Sequence, residues 1–173
     1  AFCDDYLELV KRRSYGEEDT ADRRSALATL ALSLKMFLRL FAPFLPFMTE
    51  EIWSWRFSKG EGKEGSIHVA PYPTIEEYAE IGDAKFANCY AAAVEVLTKI
   101  RSAKTEGKKS LRWLVSDLTV TGSQDSIDAI KVALEDVVEA GCVNPTGVTL
   151  EVGAVEGSDM FAVVATLAEE VPA

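Results

Sequence analysis

The sequence predicts a mainly α-helical bundle followed by a small α+β unit of β-α-β-β order. Residues 21 to 41 contain no Gly or Pro and are rich in Ala and Leu, as a long helix requires. A second long helix is expected from about Asp83 to Glu106, with Phe86, Cys89, Tyr90, Ala93, Leu97 and Ile100 at helical spacing as its buried stripe. After Trp113 the period changes. Leu114, Leu118 and Val120 alternate in part with Ser116, Thr119 and Thr121, the pattern of a half-buried strand ending at Gly122.

At the start of the chain, Phe2, Cys3, Tyr6, Leu9 and Val10 recur among Asp4, Asp5, Glu8 and Lys11, so residues 1 to about 13 read as an amphipathic helix. Lys11-Arg12-Arg13 close it; these cations suit a helix C-terminus and equally suit RNA contact, and both readings stand. Ser14 to Asp19 is a polar loop with Gly16, and Asp19 or Thr20 can cap the helix that follows. The stripe of that helix is Leu27, Leu30, Leu34, Phe37, Leu38 and Phe41, while Lys35 and Arg39, four apart, share a face.

Pro43 and Pro46 then force a break, because each lacks an N–H and its ring clashes with the preceding turn of a helix. The aromatics around the break call for a packed corner, with Phe44 and Trp53 expected in a core. Thr49, Glu50 and Glu51 place a hydroxyl and two carboxylates in the first turn of the next helix, which begins between Pro46 and Thr49, carries Ile52 and Trp53, and ends by Phe57. Residues 58 to 65 have the composition of a solvated loop. Ser66 to Pro73 is expected to be extended, since Pro71 and Pro73 push their predecessors out of the helical region. His68, the one histidine, has no candidate nucleophile or carboxylate near it in sequence and is assigned to packing or positioning. Thr74-Ile75-Glu76-Glu77 has capping-box spacing.

In the last third, Ser123 to Ala140 is expected to be helical, with Ile127, Ile130, Leu134, Val137 and Val138 on one side and Gly141 as its stop. Val148 to Val152 and Met160 to Leu167 read as two further strands.

Composition narrows the function. With 173 residues, 48% of them hydrophobic, the chain can hold one or two small domains with a core. Cys3, Cys89 and Cys142 form no C-x-x-C pair, so neither a disulfide framework nor a zinc site is indicated and buried thiols are expected. No window approaches the roughly 18 apolar residues of a membrane span, which points to a cytoplasmic address. The chain opens on Ala1 inside a helical pattern, as expected of a piece of a longer polypeptide. Its net charge of −10 is unevenly spread: residues 1 to 112 hold 17 basic and 17 acidic side chains, residues 113 to 173 hold 1 and 11. Two bodies are implied, a balanced helical domain at 1–112 and an acidic α+β module at 113–173 poorly suited to phosphate.

The corner Arg39-Leu40-Phe41-Ala42-Pro43-Phe44-Leu45-Pro46-Phe47-Met48-Thr49-Glu50-Glu51-Ile52-Trp53 resembles the signature of the anticodon-binding helical bundle of class I aminoacyl-tRNA synthetases for branched aliphatic amino acids. Phe2 to Lys11 and Gly65 to Pro73 sharpen the resemblance to the valyl-tRNA synthetases, with isoleucyl- and leucyl-tRNA synthetases as the nearest alternatives. A helical protein-interaction module is the alternative from another class. The resemblance implies recognition of a tRNA anticodon stem-loop, of valine specificity, by a monomer. It also implies ATP and Mg in an upstream catalytic domain of the parent ligase and no cofactor in these residues. Neither the His-Ile-Gly-His nor the Lys-Met-Ser-Lys-Ser type of nucleotide signature is present, and Lys108-Lys109-Ser110 lacks the flanking residues of the second, so no catalytic residue and no metal ligand is expected.

Proteins read unstacked bases by stacking and by hydrogen bonds, while Lys and Arg hold the phosphates. The candidates for contact are Lys35, Arg39, Arg56, Lys99, Arg101, Lys104, Lys108 and Arg112, with Phe44, Trp53, Trp55 or Tyr72 as stacking platforms if exposed, core packing being the favoured reading for the first two. The run from Lys99 to Arg112 has six cations opposed only by Glu106, more than a helix end needs, which favours phosphate contact.

Overall fold

A computed structural model describes residues 2–58, 65–79, 87–155 and 157–169. By packing, the chain divides into Gly16–Ile81 and a second unit that joins Ala1–Tyr15 to Gly82–Ala173.

In the first unit, Thr20 caps α3 (Ala21–Phe41) by accepting from the Arg23 amide at 3.1 Å. The break falls where the prolines demand it, and α4 (Pro46–Arg56) starts with Pro46 at its first position, where a missing N–H costs nothing. Since α4 begins so early, Thr49 is no cap. Its hydroxyl donates to the Leu45 carbonyl, and Glu50 and Glu51 lie beyond the first turn. Glu50 instead accepts from the Ser66 hydroxyl at 3.0 Å and the Ile67 amide at 2.9 Å, holding the segment after the loop against α4. That segment makes a 3-10 turn (Ile67–Val69) before it extends, and α5 (Ile75–Tyr78) follows with no side-chain cap bond from Thr74. The core is small: Leu38, fully buried Trp53 and Ile67, with the Trp53 indole donating to the Gly65 carbonyl at 3.1 Å.

Of the apolar stripe expected on α3, only Leu38 is buried, and Leu30 and Phe37 are half-buried. Only Ala26, Leu38 and Arg39 of its 21 residues are buried, and Leu27, Leu34 and Phe41 are exposed. At the corner, Trp53 is in the core as expected but Phe44 is 77% exposed, because the break turns it outward while the α4 periodicity turns Trp53 in. His68 is also exposed, so packing is not its role.

The second unit opens with a π-helical turn (Phe2–Tyr6), α1 (Leu7–Leu9) and α2 (Lys11–Tyr15) in place of one regular helix. Then come α6 (Ala87–Glu106), β1 (Val115–Gly122), α7 (Gln124–Ala140), β2 (Val148–Val152) and β3 (Phe161–Leu167). The three strands lie in the order β2-β1-β3, with β1 parallel to β2 and antiparallel to β3. One core serves all these elements. Ala92, Ala93, Val96, Leu97 and Ile100 of α6 meet Leu118 and Val120 of β1, Ile127, Ile130 and Val137 of α7, and Phe161 of β3. Tyr90 of the expected α6 stripe is exposed, and Phe86 lies outside the described residues. Of the thiols, Cys89 is buried, Cys142 half-buried and Cys3 exposed.

The composition break at 112/113 is therefore a boundary of charge, and packing crosses it. The helix α6 supplies one wall of the same core as the sheet, because a three-stranded sheet with one helix cannot cover both its own face and that helix.

Gly147 shows how tightly the parallel pair is joined. A Cβ there would lie 2.0 Å from the Ser116 carbonyl oxygen. Gly147→Ala is expected to displace β2 from β1 and lower stability by about 1–3 kcal/mol, read from urea unfolding.

Candidate nucleic-acid interface

The cations picked out by the sequence part into buried, half-buried and exposed sets. Lys104 is 1% exposed, and its ammonium donates to the Leu111 carbonyl at 2.8 Å and the Gly141 carbonyl at 2.7 Å. Gly141 is the C-cap of α7, so this ammonium sits where the helix leaves carbonyls unpaired and its dipole is negative. Burial pushes the lysine below its ordinary pKa, and proximity to Cys142 works the other way. Gly141 ends α7 as expected, as its C-cap, and the left-handed position that follows is taken by Cys142 (φ 47°). Gly141 is needed for space, since a Cβ would lie 2.8 Å from the Val137 oxygen and 3.1 Å from Ile100 Cδ1.

Arg39 is the second buried cation, 4% exposed. It donates to Glu77 at 2.7 Å, to the Tyr78 hydroxyl at 2.6 Å and to the Pro71 carbonyl at 3.3 Å. Burial disfavours its charge, but Glu77 and Tyr78 outweigh this and hold its pKa above the ordinary value. Lys99 bonds Asp159 and the Phe161 carbonyl, tying α6 to the start of β3. Arg101 bonds Asp5 and the Asp4 carbonyl, tying α6 to the N-terminal turn. Four of the eight candidates are thus engaged in holding loops and termini, because a long cationic side chain is also the best donor for stray carbonyls.

Lys108 and Arg112 are exposed, on the loop between α6 and β1, where Lys108 is left-handed (φ 54°). Beside them Lys109 lies 3.8 Å from the centroid of the Trp113 ring, whose indole is anchored on the Ala168 carbonyl at 2.8 Å. Lys35 on α3 and Arg56 in the last turn of α4 belong to the other unit, Lys35 half-buried and Arg56 exposed. Trp55 and Tyr72 of that unit are exposed as stacking platforms require, at 72% and 59%.

The structure also gathers what lies far apart along the chain. Lys11, Arg12, Arg101, Lys104 and Arg112 line one cleft of about 640 Å³, with Ile100 and Leu111 as apolar lining and Tyr15, 80% exposed, at its edge. Its cations are partly matched: Lys11 pairs with Glu8, and Arg12 with Glu135. Below them Arg13 pairs with Asp136 at 2.8 Å. Burial pushes the Asp136 carboxyl above its ordinary pKa against the pull of Arg13. Glu139 and Cys142 of the acidic third of the chain also line it. No spacing signal could have found this cleft, since α2 and the 108–112 loop are some ninety residues apart; the open reading of Lys11-Arg12-Arg13 is the nearest hint. A cleft with apolar lining, cationic groups and an exposed ring has the chemistry to take an unstacked nucleotide and its phosphate. Among the described residues no group of three or more His, Cys, Asp or Glu could hold a metal.

The family described as the anticodon-binding domain of tRNA ligase matches residues 1–118. The valine–tRNA ligase of Salinispora tropica is 44% identical over 157 residues, which cover 83% of this chain and 18% of that protein. That of Thermobifida fusca is 44% identical over 141 residues, covering 82% and 15%. The valine–tRNA ligase of Bifidobacterium longum subsp. infantis is 36% identical over 149 residues, covering 82% and 16%. The chain spans less than a fifth of the length of these relatives.

Two expectations follow from the buried cations. Lys104→Met strands the Gly141 and Leu111 carbonyls and is expected to cost about 2–3 kcal/mol in urea unfolding, whereas Lys108→Met stays within about 0.5 kcal/mol. The hydrogen bond from Arg39 holds the Glu77 carboxyl below the ordinary 4.5 of a glutamate. The stability this gives is present above pH 4.5 and lost as pH falls through the depressed value. The gap in unfolding midpoint between the native chain and Glu77→Gln should be full at pH 7 and close on acidification below pH 4.5; a gap independent of pH would refute it.

Proposed function

Because the chain belongs to the anticodon-binding domain family of tRNA ligases, we propose that it recognises the anticodon stem-loop of a valine tRNA and does so as part of a longer valine–tRNA ligase. The observation that carries the site is the cleft that unites α2, α6, the 108–112 loop and the end of α7. Lys108, Lys109 and Arg112 hold the RNA backbone as exposed cations, Trp113 fixes Lys109 in place, and the cleft beside them accepts an unstacked base, with Tyr15 available to stack. Lys104 and Arg39 leave the set of RNA-contacting groups and become the ones that shape the surface.

Amino-acid activation, with its ATP and Mg, is assigned to other parts of the ligase, since neither nucleotide signature occurs in these residues. No step of that reaction is routed through this chain. Its part is positional: a held anticodon stem-loop sets where the distant acceptor end lies. A cytoplasmic address and a monomeric state fit such a role, and no helix among the described residues is long and apolar enough to cross a membrane.

Lys108→Glu with Arg112→Glu is expected to weaken valine tRNA binding and to flatten the dependence of log K on log salt by about 0.7 for each phosphate no longer neutralised. Filter binding of valine, isoleucine and leucine tRNAs across a salt series checks this. Unchanged affinity and slope would reject the surface; preference for isoleucine or leucine tRNA would reject the specificity.

A further inference from the structure

The cleft beside the 108–112 loop holds a charge that its own helix does not explain. Of the cations lining it, Lys11 pairs with Glu8, Arg12 with Glu135 and Arg101 with Asp5, while Lys104 is engaged by the Leu111 and Gly141 carbonyls. Among the described residues, the side chains of Arg112 and Glu139, both exposed, line the cleft with no ion pair and no hydrogen bond. Glu139 stands in the last turn of α7 (Gln124–Ala140), where unpaired carbonyls and the dipole disfavour an anion, and that turn has no basic residue to offset it. A carboxylate there also repels phosphate. One exposed glutamate on a helix is ordinary, but this one sits at the disfavoured end, in a cleft lined by five cations, none of which pairs with it. Its other neighbours in the lining are apolar Ile100 and Leu111 and the exposed Tyr15 ring.

We propose that Glu139 reads an unstacked nucleobase by accepting from its exocyclic amine, so that the cleft selects adenine, cytosine or guanine over uracil. This rests on the RNA-binding role proposed for the same cleft and adds which edge of the base is read. A carboxylate only accepts, and pairs with an amine donor such as N4 of cytosine. Next to each such amine the base carries a ring-nitrogen acceptor, which the guanidinium of Arg112, a donor only, can meet. Uracil has no amine, and the two carbonyls flanking its one N–H turn their oxygens toward a carboxylate. A basic side chain of a protein partner would suit Glu139 alone, but it would enter among the cations of the same cleft and be repelled, as a neutral base is not.

The test removes one amine at a time. The chain extended to the length of its relatives is titrated with valine tRNA anticodon stem-loops in which each loop base in turn is replaced by its amine-lacking form: purine for adenine, pyrimidin-2-one for cytosine, hypoxanthine for guanine. At one loop position the native chain should lose affinity about 5-fold or more. With Glu139→Ala, the unmodified stem-loop should lose a similar factor, and removing that amine should have no further effect. The slope of log K against log salt should not change, since no phosphate contact is lost. Glu139→Gln, which keeps an acceptor oxygen, should recover part of the affinity. Tighter binding of every stem-loop by Glu139→Ala would mark a carboxylate that merely repels phosphate and overturns the proposal. A loss that is independent of the amine, or native binding indifferent to every amine, overturns it too, and all three outcomes leave the RNA-binding role standing. Failure of the native chain to bind any stem-loop rejects that role and this proposal with it.

Discussion

A single ammonium group governs how the larger unit closes. Lys104 comes from the last turn of α6, reaches the final carbonyl of α7 and at the same time holds the Leu111 carbonyl in the loop that leads to β1. Two helices and a connection would otherwise leave carbonyls without donors in a place with little water. Once Lys104 satisfies them, the end of α7 is fixed against α6, the 108–112 loop takes its path, and the cleft acquires its floor. The desolvation that this imposes on the lysine is offset in part by two short charge-assisted bonds.

The smaller unit repeats the device with different parts. Arg39, on a helix whose outer face is apolar, turns inward and gathers Glu77, Tyr78 and the Pro71 carbonyl, so the segment after the loop is bound back to α3. In both units a cation that looks suited to phosphate organises backbone. Among the described residues, Lys108 and Arg112 of that run are exposed, and they stand on the loop that Lys104 shapes. Buried and exposed charge thus occupy one run of sequence, separated by which residues face the core.

Much of the fold is legible in the chain. The cap at Thr20, the break between Phe41 and Pro46, the strand at Val148–Val152 and the helix ending at Ala140 follow from local rules of capping, proline geometry and periodicity, and the structure has them. Burial is harder to read. On α3 the apolar row has the pattern of a core face, yet only Leu38 of it is buried, because periodicity says which residues share a side and not what covers it. The same limit applies to charge: Lys104 and Lys108 are four apart in one basic run, yet one is buried and the other exposed, since α6 ends at Glu106 and the chain reverses its course between them.

Neighbouring residues and composition were enough to define most of the secondary elements, their order, the family resemblance at the proline corner and the excess of acid in the last third. Those properties are local or additive. Three-dimensional packing alone selected which cations are exposed, brought Lys11 and Arg12 into one cleft with Arg112, and made the acidic third part of the lining of that cleft through Glu139 and Cys142. Each of these depends on contacts between residues tens of positions apart. Such contacts are set by how apolar faces exclude water together and by where buried carbonyls find donors, and neither is encoded in the spacing of any one segment.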